Sequence, residues 1–140
     1  MVVPVQMTFD ALDPNALCRW WAELLDYEIE RDGDVVAGLI EQGAITDDQA
    51  VEIDGVLHLA IAASMVDPER VGPRFFFQQV PEEKVGKNRV HLDISVRPED
   101  LEAEVARVTA VGATFVEFGS HPGHRWAVMR DPEGNEFCLH

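Results

Sequence analysis

Cysteine, tyrosine and basic residues are all scarce in this chain, and each shortage excludes something. Cys18 and Cys138 are the only two cysteines among 140 residues, far apart and without a CxxC pair. That rules out a disulfide framework and favours reduced thiols in a cytoplasmic setting. Eleven Lys and Arg stand against 26 Asp and Glu, a formal net charge of −15. The sign is wrong for nucleic acid or an anionic membrane, whose phosphates need clustered cations. No apolar run reaches the roughly 18 residues of a membrane span. Met1-Val2-Val3-Pro4-Val5 has neither the basic nor the apolar region of a secretory signal. No Gly-rich phosphate loop, Gly-x-Ser-x-Gly elbow or HExxH sequence occurs.

What is present is strong hydrophobic patterning. A first strand is predicted over Val3–Phe9. Asp13 can cap a helix with Pro14 in its first turn. Leu17, Trp20, Trp21, Leu24 and Leu25 then form an amphipathic stripe. Tyr27–Glu30 reads as a strand. Over residues 34–43 the spacing favours a short helix over a strand, stopped by Gly43. Val51–Ala62 carries strand segments broken at Asp54-Gly55, and Arg74–Val80 is a phenylalanine-rich strand. After Pro81–Asn88 the pattern restarts. A strand is expected at Arg89–Val96 and a helix at Pro98–Val111, ended by Gly112. Strands follow at Thr114–Phe118, Arg125–Arg130 and Glu136–Leu139, with Asp131-Pro132-Glu133-Gly134-Asn135 as the last tight turn. Gly119–Gly123 looks like a flexible stretch able to act as a lid.

Strand–helix–strands therefore occurs twice, a pseudo-repeat of about half the chain. The expected organisation is a first module at 1–80 with a helical insertion at about 34–46, a linker at 81–88, and a second module at 89–140. Side chains alternate faces along a strand. The apolar faces (Val5, Met7, Phe9; Val90, Leu92, Ile94; Phe75, Phe77; Phe137, Leu139) should pack on the helices. The opposite faces carry Gln6, Thr8, Phe76, Gln78, His91, Asp93 and Cys138. Polar and aromatic groups mixed in this way on four strands suit either a solvent-facing surface or a ligand cleft.

Phe77-Gln78-Gln79-Val80-Pro81-Glu82, Lys87-Asn88-Arg89-Val90-His91-Leu92-Asp93, Val111-Gly112-Ala113-Thr114 and Asp131-Pro132-Glu133-Gly134-Asn135-Glu136-Phe137-Cys138 together resemble the vicinal oxygen chelate superfamily, in particular its glyoxalase-like members. The resemblance covers nearly the whole chain. It implies an α+β fold of paired βαβββ modules forming a cup-shaped mixed sheet with helices outside, as in glyoxalases and bleomycin-resistance proteins. It also implies a divalent metal in the cup, held by one first-strand residue and one last-strand carboxylate from each module. Here the first-strand positions are Gln6 and His91. Cys138 stands where the second carboxylate belongs, and Phe76 or Gln78 where the first does.

With both carboxylates missing, the donors left are neutral amides, an imidazole and a thiol, a poor set for a hard divalent ion. The expectation is therefore a small-molecule-binding protein without a cofactor, its ligand contacts drawn from Gln6, Thr8, Phe76, Gln78, Trp126 and Cys138. A divalent metal, if held, would use His91, Gln6, Cys138 and Glu136. The alternative is a metal-dependent lyase, isomerase or dioxygenase of the glyoxalase type, with His91 and Asp93 as the catalytic pair. A carboxylate two residues from an imidazole on one strand face can orient it as a general base. Family resemblance further implies a homodimer. Lys84, Lys87 and Arg89 form the one basic cluster, expected to pair with the acidic surface. His58, His121, His124 and His140 show no ligand spacing along the chain.

Overall fold

A computed structural model describes all 140 residues. The chain falls into two compact units, Met1–Glu82 and Glu83–His140. The first contains β1 (Gln6–Ala11), α1 (Pro14–Leu25), β2 (Glu28–Ile29), α2 (Gly33–Glu41), β3 (Ala50–Ile53), β4 (Val56–Leu59), β5 (Ala62–Val66) and β6 (Arg74–Gln79). The second contains β7 (Asp93–Ile94), α3 (Leu101–Ala110), β8 (Thr114–His121), β9 (His124–Arg130) and β10 (Glu136–Leu139). In unit one the main sheet runs β1-β6-β5-β2, with β1 and β6 parallel and the other pairs antiparallel. In unit two it runs β7-β10-β9-β8, with β7 and β10 parallel and the rest antiparallel. Strand order and direction are the same in both, so the pseudo-repeat is a repeat of βαβββ topology.

Local chemistry accounts for the first helix. Asp13 takes an extended backbone and accepts the Ala16 amide at 3.0 Å, Pro14 opens the helix, and Asp26 ends it in the left-handed region. Its stripe buries Leu17, Cys18, Trp21 and Ala22 against the apolar face of the sheet, where Met65, Phe75 and Phe77 are also buried. Phe9 bridges the two layers, 5.6 Å from the Trp21 ring and 5.1 Å from Phe77. In unit two, Leu101 and Val108 of α3 are buried, as are Ala127, Met129, Phe137 and Leu139 of the sheet.

The insertion in unit one is a helix plus a hairpin. β3 and β4 pair across Asp54-Gly55, whose φ values of 51° and 76° make the primed turn that suits a two-residue hairpin. Asn15 donates to the Leu59 carbonyl at 2.9 Å and Arg19 pairs with Asp54 at 2.9 Å. The insertion is thus fastened to α1, on the helix side of its sheet and away from the polar face.

Several predicted boundaries need correction. The first strand begins at Gln6, because its partner β6 begins at Arg74 after Pro73; Val3 and Val5 stay exposed. The strand expected at Arg89–Val96 shrinks to Asp93–Ile94, flanked by ladder bonds from Cys138 N to Leu92 O and from Val96 N to His140 O. Ahead of Leu92 the backbone turns aside, and Asn88 N–H is taken by the Glu136 carboxylate. The helix at Pro98–Val111 divides into a 3-10 turn over Pro98–Asp100 and α3, leaving Val111 exposed. The lid expected at Gly119–Gly123 is instead the end of the β8–β9 hairpin, paired through His121↔His124. Gly119 is there because the Trp126 ring lies across it: a Cβ would meet Trp126 Cε2 at 2.2 Å.

Candidate functional site

The polar face of the second sheet gathers the most chemistry. Alternation puts Glu136, Cys138 and His140 of the β10 segment on the side opposite the buried Phe137 and Leu139. Register aligns Cys138 with Val128 of β9 on one flank and Asp93 of β7 on the other. His91, Asp93 and Cys138 come together, with ligand-capable atoms all within 4.8 Å of one another.

Asp93 organises the group. Its carboxylate lies 2.8 Å from His91 Nδ1, with the Cys138 sulfur within 4.8 Å. A carboxylate only accepts, so His91 Nδ1 carries the proton, and in the neutral ring Nε2 is the acceptor. Burial pushes the Cys138 thiol up, and the Asp93 charge and hydrogen bond push it further; Lys87 opposes them weakly. Cys138 is therefore a protonated donor at neutral pH, not a nucleophile.

Glu136 does different work from the metal ligation anticipated for it. It is 9% exposed and pairs with Lys84 at 2.9 Å, while Asn88 N–H donates to it at 3.0 Å. Burial alone would raise its carboxyl. The Asn88 amide and the Lys84 ammonium outweigh that and hold it at about 2. Glu136 is an anchor for the segment that leads into His91.

The other end of this face is aromatic. Trp126 lies over Gly119, with the His124 ring stacked at 5.6 Å and the His121 ring at 5.0 Å. His124 also meets the His140 ring edge-on at 5.4 Å. Sequence spacing did not reveal this histidine cluster, because its members come from three strand ends. The alternation that puts His124 and Trp126 on one face was the only signal for it.

In the first unit, Gln6, Thr8, Phe76 and Gln78 do share the polar face of its sheet, through the registers Gln6↔Arg74 and Thr8↔Phe76. The Gln6 and Gln78 amides are committed to charged neighbours on that face. Arg74 donates to Gln6 Oε1 and pairs with Glu30 at 2.7 Å, Ser64 donates to Glu30 at 2.6 Å, and Gln78 donates to Asp10 at 2.8 Å. Burial works to raise the Glu30 carboxyl, but the Ser64 and Arg74 hydrogen bonds prevail and keep it below its ordinary value. A recess of about 980 Å³ lies elsewhere in the unit, beside α1 and the inserted hairpin around Cys18, Arg19, Tyr27, Asp54 and His58. Burial lifts the Cys18 thiol to about 12, so it is inert.

The sequence family described as the glyoxalase-like domain matches residues 6–140. The chain belongs to that family. No curated protein sequence matches it. Among solved structures, a fosfomycin resistance protein from Mesorhizobium loti is 15% identical over 100% of this chain and 91% of its own, with a TM-score of 0.64. A fosfomycin resistance protein from Listeria monocytogenes, complexed with Mn(II) and a dihydroxypropylphosphonic acid, is 12% identical over 100% and 90%, TM-score 0.63. A bleomycin-binding protein from Streptomyces verticillus, complexed with copper(II)-bleomycin, is 18% identical over 99% and 95%, TM-score 0.55. At these identities the likeness establishes the α+β glyoxalase-type fold. No helix is long and apolar enough to cross a membrane.

A Mn(II)-type ion fits this glyoxalase-like chain poorly. Such an ion prefers oxygen ligands, and the second-unit cluster offers one carboxylate, one imidazole and one protonated thiol. A thiolate-accepting ion of the zinc type is the better match to that donor set.

Proposed function

We propose that this glyoxalase-like protein binds a small, partly flat molecule on the polar face of its second sheet, without a metal. Trp126 offers the stacking surface, and His91, Asp93 and Cys138 the hydrogen-bonding end. The observation that carries the reading is the Asp93 carboxylate 2.8 Å from His91 Nδ1, with Cys138 beside the pair. His91 and Asp93 already satisfy one another, and His91 Nε2 is left to accept from a bound hydroxyl or amide. The same Nε2 can serve as a base toward an acidic C–H or O–H. Gln6, Thr8, Phe76 and Gln78 form the corresponding polar face of the first unit's own sheet and are proposed as ligand contacts of that unit.

Metal content and binding test this together. Protein purified without added ions is expected to carry no stoichiometric metal on His91. Metal-free bleomycin, used as the probe, is expected to bind equally with and without EDTA, and more weakly to Trp126→Ala and His91→Ala. A stoichiometric ion that His91→Ala alone removes, or binding that needs a divalent ion, would overturn the proposal.

The three ligand-capable atoms within 4.8 Å favour a second reading. It is a metal-dependent lyase, isomerase or dioxygenase of the glyoxalase type, with a zinc-like ion on His91, Asp93 and Cys138. Cys138→Ala would then abolish metal uptake.

A further inference from the structure

The insertion in the first unit leaves a hollow that the machinery just described does not use. We infer that the space between α1 and the inserted hairpin is a second ligand site, for an apolar molecule carrying one ammonium group.

The hairpin supplies one wall. β3 and β4 pair Val51 with His58 and Ile53 with Val56, so these four side chains share a face. A two-stranded ribbon needs such a face covered, yet here it borders open space. Ile53, Val56 and His58 line the recess of about 980 Å³. Val51 and Ile53 line a neighbouring recess of about 640 Å³. Asn15 and Arg19 of α1 border both. Ala22, Ile29 and Ala63 add further apolar lining to the larger one. Small-molecule sites are apolar hollows of roughly 300–1,000 Å³ with a few polar groups.

Asn15 is one such group. It is 8% exposed. Its Nδ2 donates to the Leu59 carbonyl at 2.9 Å, and its Oδ1 meets no donor. A nearly buried amide oxygen left open in this way calls for an incoming N–H or O–H.

Charge selects a cation. Glu23, Asp26 and Glu28 line the larger recess without ion-pair partners, against one free cation, Arg31; Arg19 is already paired with Asp54 at 2.9 Å. Ala22 and Glu23 belong to the last turn of α1, which has no basic residue, and Asp26 caps it. The partial negative charge of that helix end is therefore uncompensated. Tyr27 adds an aromatic wall, and aromatic faces attract cations. An acid would be repelled here, and a neutral molecule would leave the carboxylates unanswered.

Dansylcadaverine, a flat dye on an alkyl primary amine, is the probe, titrated into the whole protein and followed by its emission. Saturable one-to-one binding is expected. The N-acetylated dye has lost the charge and should bind about tenfold more weakly, a difference of ~1.4 kcal/mol. Glu23→Gln combined with Glu28→Gln should weaken the amine about threefold or more and leave the acetylated dye unaffected. Both residues are exposed, so the fold is not at stake. Asp47→Asn combined with Asp48→Asn removes the same charge from an exposed turn that borders neither recess, and should change nothing. His91→Ala should also leave the titration unchanged, which separates this site from the one proposed above. Unsaturable binding, equal affinity for the two dyes, equal effects of the two double variants, or loss in His91→Ala would each overturn the inference.

Discussion

Replacing Glu136 by Gln tests the anchoring argument most directly. The Glu136 carboxyl is held near 2 against an ordinary 4.5. At ~1.4 kcal/mol for each pH unit of displacement, the folded state gains at most about 3 kcal/mol from the ionised form. Lys84 is 22% exposed, so solvent screens part of its attraction, and about 1–2 kcal/mol is the realistic expectation. A depressed carboxyl stabilises above its unfolded value and loses that contribution as pH falls. The protein should therefore lose this stability between about pH 4.5 and pH 2. Glu136→Gln should be about 1–2 kcal/mol less stable at pH 7, and its stability should change less across that acid window. The neutral amide also holds Lys84 and the Asn88 N–H less well, freeing the backbone three residues before His91. Denaturant unfolding at a series of pH values, with amide exchange at residues 88–94, reads both effects. Equal acid slopes in the two proteins, or undisturbed exchange in that segment, would refute the reasoning.

Gly119→Ala would put a methyl group on the Trp126 ring. A loss of about 1–3 kcal/mol is expected, with an altered Trp126 emission spectrum; an unchanged spectrum would show that the ring does not lie there. Asp131→Ala removes the acceptor for the Glu133 and Asn135 amides and the Asn135 side chain. It should destabilise by about 1–3 kcal/mol, measured by thermal unfolding against Asp131→Asn. Toward an aromatic disulfide reagent at pH 8, Cys18 should stay unreactive until the protein unfolds, and Cys138 should react slowly. Asp93→Asn should speed the Cys138 reaction, because Asp93 helps to raise that thiol; labelling of Cys18 in the native state would contradict its burial.

Much of the architecture was readable from local pattern. The Asp13–Pro14 start of α1, the Asp54-Gly55 hairpin and the Asp131–Asn135 turn depend on residues a few positions apart, so their chemistry sits in the linear sequence. Alternation likewise put Gln6, Thr8, Phe76 and Gln78 on one face of their strands, and His91 and Asp93 on another. Strand ends were less legible, since they are set by where a partner strand begins: Gln6 waits on Arg74, and β7 can be no longer than β10 allows. The site lay further out of reach. Which groups meet Cys138 depends on how β10 registers between β7 and β9, and that is decided by packing Phe137 and Leu139 into the core. The same register turned Glu136 from a candidate ligand into an ion-paired anchor, and brought His140 beside His124. Periodicity determines which side of a strand a residue occupies; only tertiary pairing, driven by burial of the opposite side, decides its neighbours.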